Sequence, residues 1–257
     1  MPAWVEAPRP VCLGSTQRVE LSNPNQLRIV MVSRMRNTPH SVFSRLHHAY
    51  GPQNWWPARS RFEVMVGAIL TQNTSWTNVE AALKHIKHAK LLDSNKLAGI
   101  AHRRLAVLIK PVGYFNVKAT RLQSYCRWYN AHGQFKQLNK LDTPSLRSAL
   151  LDVHGIGPET ADDILLYAFE REVFVIDAYT RRLFSRLGLL EGHESYEVMR
   201  AWFETKLKRQ DKKVSLFNEF HALIVHHAKY YCRARTPVCA DCCLQRQCQY
   251  DAVNGSA

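Results

Sequence analysis

The sequence predicts an all-α protein, and three observations carry that expectation. Apolar residues recur at helical spacing along most of the chain from Ser41 onward: Val42, Leu46 and Tyr50 share a face, as do Phe62, Val66, Ile69 and Leu70, and then Val79, Leu83 and Ile86. The breaks between these runs fall at turn-forming residues, namely Gly51-Pro52, Asn73-Thr74, Gly113, Gly133, Thr143-Pro144, Gly155 to Pro158, and Gly188. One β-like stretch, Glu172 to Ile176, is too short to build a sheet, and no solenoid repeat or low-complexity tract is present.

With 257 residues, 46% apolar and 22% charged, the chain can bury a core as one large domain or two small lobes. Its longest clean apolar run, Val64 to Leu70, is far short of the roughly 20 residues a bilayer crossing needs, and no signal-peptide pattern opens it. A soluble, monomeric cytoplasmic protein with no membrane partner is expected. Residues 1–38 mix Pro, Ser, Asn and Arg without a helical period and read as a flexible, dispensable extension, with Met31 and Met35 just before the first helical pattern. Residues 251–257 read as a tail.

The formal net charge is +14. Five Arg against two Glu lie in residues 1–38, so the remainder keeps 30 bases against 19 acids and the excess belongs to the body of the protein. Such a surface suits a polyanion, because each phosphate it neutralises releases condensed counterions.

Cysteines give a second chemical signal. Cys12 and Cys126 stand alone, whereas five of the seven fall between Cys232 and Cys248. In an intracellular chain that distribution points to metal binding before disulfides. Cys232, Cys239, Cys242 and Cys248 place four thiolates within 17 residues, enough to surround one centre. A zinc site usually shows two tight pairs, and only Cys239 and Cys242 are so paired; the spacing favours iron-sulfur and leaves zinc open. Cys243 falls outside the pattern, and His226 and His227 read as packed or solvated rather than as ligands.

The segment Leu151 to Phe169 carries a helical hairpin. A helix from Thr143 or Pro144 to Val153 must reverse into a second one near Pro158, and Gly155 and Gly157 are expected to supply the positive φ of the reversal. The turn, Gly155, Ile156 and Gly157, would aim backbone N–H groups at a phosphate, although an ordinary αα-hairpin has the same outline. Asp177 follows the apolar run Val173 to Ile176 and precedes Ala178, so spacing alone fits both a helix N-cap and a partly desolvated functional carboxylate. Glu159 reads as a first-turn carboxylate or a pocket acid, and Asp162 and Asp163 as members of a solvated, salt-bridged helix face.

Together these segments resemble the helix-hairpin-helix DNA glycosylases of the endonuclease III superfamily, over roughly residues 40–250. The resemblance implies a two-lobed all-α fold with a C-terminal [4Fe-4S] cluster loop: a six-helix domain over 53–171, and a cluster domain formed by 39–52 and 172–250. It implies double-stranded DNA with damaged bases as partner, the hairpin on the DNA backbone, Asp177 as catalytic carboxylate, and the four spaced cysteines as cluster ligands. Arg233 and Arg235 in the cluster loop would face phosphate, or serve solubility alone. Bifunctional members carry a lysine nucleophile two residues after the second hairpin glycine; this chain has Glu159 there, which implies hydrolysis without strand cleavage. Adenine-mismatch members carry a Glu five residues before the gap-filling Gln; here Gln72 matches that Gln and Gly67 stands at the earlier position.

The substrate reading rests on Thr71-Gln-Asn-Thr74, with Gln72 as the residue filling the gap left by a flipped nucleotide, and on Trp55, Trp56 and Trp76 as pocket walls. These residues, with Gly-Ile-Gly-x-Glu-x-Ala-Asp at 155–162, most resemble the 3-methyladenine DNA glycosylase III branch. Cationic alkylated purines suit electron-rich indole faces, though the paired tryptophans also fit a helix entry packed before Pro57. Alternatives are a thymine or uracil mismatch glycosylase, and a non-catalytic DNA-binding iron-sulfur protein.

Overall fold

The computed structural model describes residues 37–53, 55 and 58–250; most of the expected N-terminal extension, the tail and Trp56 lie outside the described residues. Among the described residues the protein is all-helical, with no strand. Helix α1 (Pro39–Tyr50) opens on a capping box in which the Ser41 N–H donates to Thr38 Oγ1 at 3.1 Å and the Thr38 N–H donates to Ser41 Oγ at 3.0 Å. Helix α2 (Arg61–Leu70) starts at Ser60, whose hydroxyl accepts from the Glu63 N–H, and is buried from Glu63 to Leu70. It is therefore a central core helix rather than an amphipathic surface one. The buried Glu63 carboxylate is compensated by Lys87 of α3 (Trp76–His88). Helices α4 (Ser94–Gly99) and α5 (His102–Leu108) pack on α6 (Phe115–Ala131), and α7 (Gln134–Leu138) follows it. The stretch expected to hold six helices thus carries α2 to α7 and also α8 (Thr143–Leu151) and α9 (Pro158–Asp163), several of them a turn or two long.

The chain divides into two compact units. One takes the described residues up to Gln53, Ala178–Glu194 and those from Ala222 on; the other takes Asn54–Asp177 and Ser195–His221. Ser195–His221 therefore falls with the hairpin, where the sequence expectation placed it with the cysteines. The cause is an aromatic core. Phe174 stacks on Phe203 of α11 (Tyr196–Lys206) at 4.1 Å and 3°, and meets Phe217 and Phe220 of α12 (Lys213–Tyr230) edge-on at 5.3 and 5.8 Å. Residues Val173 to Ile176 are buried in an extended path without a partner strand. Helix α11 satisfies their backbone instead: the Phe174 N–H donates to Glu204 Oε1 at 3.1 Å and the Ile176 N–H to the Tyr196 hydroxyl at 3.4 Å.

In the hairpin, α8 is capped by Asp142, and α9 runs on into a π-helical turn at Ile164–Ala168. Only one glycine of the turn needs its freedom. Gly155 has φ +86°, whereas Gly157, expected to share that role, is the extended N-cap of α9 at φ −96° and ψ 178°. Asp162 and Asp163 correct another expectation: they are 0% and 4% exposed, not on a solvated face. Asp162 is bound in bidentate fashion by Arg147 of α8, Nε to Oδ1 at 2.7 Å and Nη2 to Oδ2 at 3.1 Å. Arg147 also reaches Glu197 of α11 at 2.7 Å, and Arg200 lies 3.8 Å from Asp162.

Two predictions follow from this geometry. Arg147→Met leaves the buried Asp162 carboxylate without its partner and lowers unfolding free energy by about 3–5 kcal/mol in urea titrations; a loss below about 1 kcal/mol would show that the pair does not brace the hairpin. Gly155→Ala combines a positive φ with a collision against the Arg121 methylenes and lowers Tm, whereas Gly157→Ala, with open space at its Cβ, leaves Tm nearly unchanged.

Candidate active site and cysteine-lined cavity

Asp177 ends the buried extended segment and stands immediately before α10 (Ala178–Arg186), with its side chain 13% exposed. Its Oδ2 lies 3.5 Å from Nε2 of His221 on α12. His221 is itself buried, its ring stacked on Trp55 at 5.6 Å and 18°, and its Nδ1 is 2.5 Å from the Tyr167 hydroxyl. Burial raises the Tyr167 pKa well above the usual phenol value, so that hydroxyl keeps its proton and donates to Nδ1. The other ring nitrogen, Nε2, faces Asp177.

Helix α9 and its π-turn bring further acids to this place. Glu159, Asp163 and Tyr167 follow one another at four-residue intervals and so lie along one face. Burial, with the nearby Glu159 and Asp177 charges, holds the Asp163 carboxyl well above the usual carboxylate range. Burial of its surroundings and the Asp177 charge push Glu159 up to about 7, while His221 pulls it down. Glu159 nevertheless remains open to solvent.

Gln72 is tied to the hairpin. Its Nε2 donates to the Gly155 carbonyl at 3.0 Å and to Thr160 Oγ1 at 2.9 Å, and its Oε1 accepts from Arg121 at 2.6 Å. The loop that carries it is anchored from behind by Lys118, 2% exposed, whose ammonium donates to the carbonyls of Leu70 and Val112, both at 2.9 Å. Trp76 is the first residue of α3 and half-buried. In the hairpin turn the Ile156 side chain is buried and its N–H donates to the Val153 carbonyl at 3.0 Å, while Gly157 is exposed. Among the candidates of the hairpin unit, Asp177 and Trp55 thus meet at His221, and Gln72 meets Gly155. His221 and Tyr167 escaped the sequence reading because neither stands in a spaced motif; four-residue spacing from Glu159 through Asp163 was the one signal that reached Tyr167.

In the other unit, Cys232, Cys239, Cys242 and Cys248 line one cavity of about 290 Å³, counting its solvent-open part. Its wall contains no carboxylate and no imidazole, and Cys243 is not part of it. Among the described residues no three His, Cys, Asp or Glu side chains converge closely enough to hold a single metal ion. A zinc ion would need all four sulfurs at about 2.3 Å from one point. A multinuclear cluster gives each thiolate its own iron, and the all-thiolate donor set lining this cavity fits such a group. Burial holds the Cys242 thiol up at about 12, and a cation in the cavity is what would draw its proton off. Arg186 donates to Cys232 Sγ at 3.3 Å, and His227 Nε2 lies 3.6 Å from Cys242 Sγ. The other His227 nitrogen is 2.7 Å from the Tyr50 hydroxyl, and burial drives its pKa to about 3, so this ring is a packed neutral neighbour of the cavity. Arg233 and Arg235 are exposed in the loop between Cys232 and Cys239.

Residues 66–209 match the family model of the HhH-GPD superfamily base excision DNA repair proteins. A protein of Methanocaldococcus jannaschii that bears the provisional name of DNA repair glycosylase is 43% identical over 81% of this chain and 94% of its own. Endonuclease III of Sulfolobus acidocaldarius is 31% identical over 75% of this chain and 83% of its own. Among solved structures, H. pylori 3-methyladenine DNA glycosylase bound to 1,N6-ethenoadenine superposes with a TM-score of 0.67 at 30% identity, over 75% of this chain and 98% of that one. An endonuclease III–DNA complex shares the fold, with a TM-score of 0.72 at 18% identity over 86% of this chain and all of that one. A family model matched over more than half of the sequence, and relatives matched nearly from end to end, leave one assignment: the chain belongs to the helix-hairpin-helix DNA glycosylases of the endonuclease III superfamily, proteins of base excision repair.

Proposed function

We propose that the protein is a monofunctional glycosylase that hydrolyses the N-glycosidic bond of alkylated purines in duplex DNA, with Asp177 as its catalytic carboxylate. The observation that carries this reading is the setting of Asp177, nearly buried beside a Trp55–His221 stack. Cleavage builds positive charge on the sugar, and a fixed carboxylate in a poorly solvated place stabilises it and orients the attacking water. His221 Nε2, 3.5 Å from Oδ2, is a polar neighbour of that carboxylate, and the Trp55 face supplies a wall for an electron-poor base. The 3-methyladenine glycosylase of H. pylori, bound to a purine adduct, supports the substrate class.

Absence of lyase activity rests on the position of Glu159 where a Schiff-base lysine would stand. Lys118, whose pKa burial lowers to about 8, offers no substitute, because its ammonium is enclosed and holds two carbonyls. Cys232, Cys239, Cys242 and Cys248 would hold a [4Fe-4S] cluster that cross-links a small unit and takes no part in hydrolysis. Exposed Arg233 and Arg235, and the hairpin turn from Gly155 to Gly157, would contact DNA phosphates.

A panel of duplexes carrying methylated, deaminated or mismatched bases tests the reading. Release of alkylated purines is expected, with Asp177→Asn slower by at least about 10²-fold and no borohydride-trapped DNA adduct. Release only of mismatched thymine or uracil would replace the substrate assignment, and no release from any duplex would remove the enzymatic one. Purified protein should contain about four irons and four acid-labile sulfides per chain; Cys239→Ser should lose them and Cys243→Ser retain them. One zinc per chain would overturn the cluster.

A further inference from the structure

We propose that Glu159 is the proton donor to the departing base, and that it extends excision from cationic alkylated purines to neutral purine adducts. The inference deepens the glycosylase reading above and rests on it.

The hairpin brings three carboxyl groups, Glu159, Asp163 and Asp177, within electrostatic range of one another, with His221 against the third. Like charges so placed in poorly solvated surroundings cannot all ionise together. Asp163 is interior, with an oxygen that has no hydrogen-bond partner, so it is closed to proton exchange with water. Glu159 differs in being open to solvent, and its carboxyl makes no hydrogen bond among the described residues. It can therefore give up a proton and regain one from water. The other charged groups on elements packed against α9 are engaged elsewhere: Arg147 with Asp162 and Glu197, Glu63 with Lys87, and Arg61 with Glu170 and the Ala168 carbonyl; Arg121 of α6 is held by Gln72. Asp177, Asp163 and His221 are thus the groups that govern Glu159, and the Asp177 charge and burial favour its protonated form near neutrality.

That proton matters for some substrates only. A base alkylated on a ring nitrogen already carries positive charge and leaves as a neutral molecule. A neutral adduct would have to leave as an anion unless a ring nitrogen is protonated. In the proposed step the C1′–N9 bond breaks with its electron pair passing to the purine, and the Glu159 proton goes to a ring nitrogen of that purine. Water adds to C1′, its proton passes to the Asp177 carboxylate, and exchange with solvent reloads Glu159. Positioned proton donation of this kind accelerates such steps by about 10²–10⁴-fold.

The test is single-turnover excision of 1,N6-ethenoadenine, as the neutral adduct, and of 7-methylguanine, as the cationic lesion, by the full-length protein and two variants. Ethenoadenine release by the unaltered protein should be constant at low pH and fall about tenfold per pH unit above about pH 7, with 7-methylguanine release not falling in that window. Glu159→Gln should lose about 10²-fold or more on ethenoadenine, with no pH break, and less than about threefold on 7-methylguanine, which also establishes that the variant is folded. Glu159→Asp should recover part of the ethenoadenine rate and its pH dependence. Equal losses on the two substrates, or a flat ethenoadenine profile between about pH 6 and 9, overturns the role of Glu159 and leaves the glycosylase reading standing. Release of neither base by the unaltered protein overturns both.

Discussion

The bidentate pair between Arg147 and Asp162 is the interaction on which the rest of the hairpin unit depends. It joins the two arms of the hairpin at a point where Asp162 is wholly buried, so the angle between α8 and α9 cannot open without stranding a carboxylate in the interior. Glu197 and Arg200 extend the same network to α11, which fixes the hairpin against the segment that follows it. Every acid near the site follows from that fixation. Glu159 lies one turn before Asp162, Asp163 is its neighbour, and Tyr167 lies a turn beyond. The charge that braces the helix and the carboxyl groups near Asp177 all belong to the five residues from Glu159 to Asp163.

A second constraint concerns the approach to Asp177. A buried extended segment without a partner strand would leave its N–H groups unsatisfied at substantial cost. Glu204 and Tyr196 supply acceptors from a helix instead, and Phe174 fills the space between Phe203, Phe217 and Phe220. The segment is consequently pinned both by hydrogen bonds and by aromatic packing just before its terminal aspartate. In the role proposed for Asp177, a carboxylate held in fixed geometry gains from such support.

Much of this was legible in the sequence, because the informative features are local. Turn residues marked the helix ends, the Gly-x-Gly-Pro run marked the hairpin, and four spaced cysteines anticipated a shared cavity. What escaped was set by tertiary neighbours. Asp162 and Asp163 look like surface acids until Arg147, fifteen residues earlier, is folded against one of them. His221 is an unremarked residue in a long helix, and only the fold carries it 44 positions back to Asp177. Gly157 looks equivalent to Gly155 in a two-glycine motif, yet the preceding reversal is complete by the time the chain reaches it. Gln72 shows no sign in sequence of its three partners, which lie on α6 and the hairpin.

The contacts around the cysteine-lined cavity also constrain the order in which the chain can be assembled. Asn37 donates to the Gln247 carbonyl across 210 residues, and the Tyr50 hydroxyl meets His227 and Cys243 across 177 and 193. The hairpin closes through contacts about fifteen residues apart. During synthesis from the N-terminus, helix α1 must therefore wait for partners 177 to 210 residues later, while the segments that follow it have already condensed into the other unit. Closing such long loops is slow relative to local helix pairing. The residues around His227, Cys243 and Gln247 are thus the ones that give α1 its place to dock.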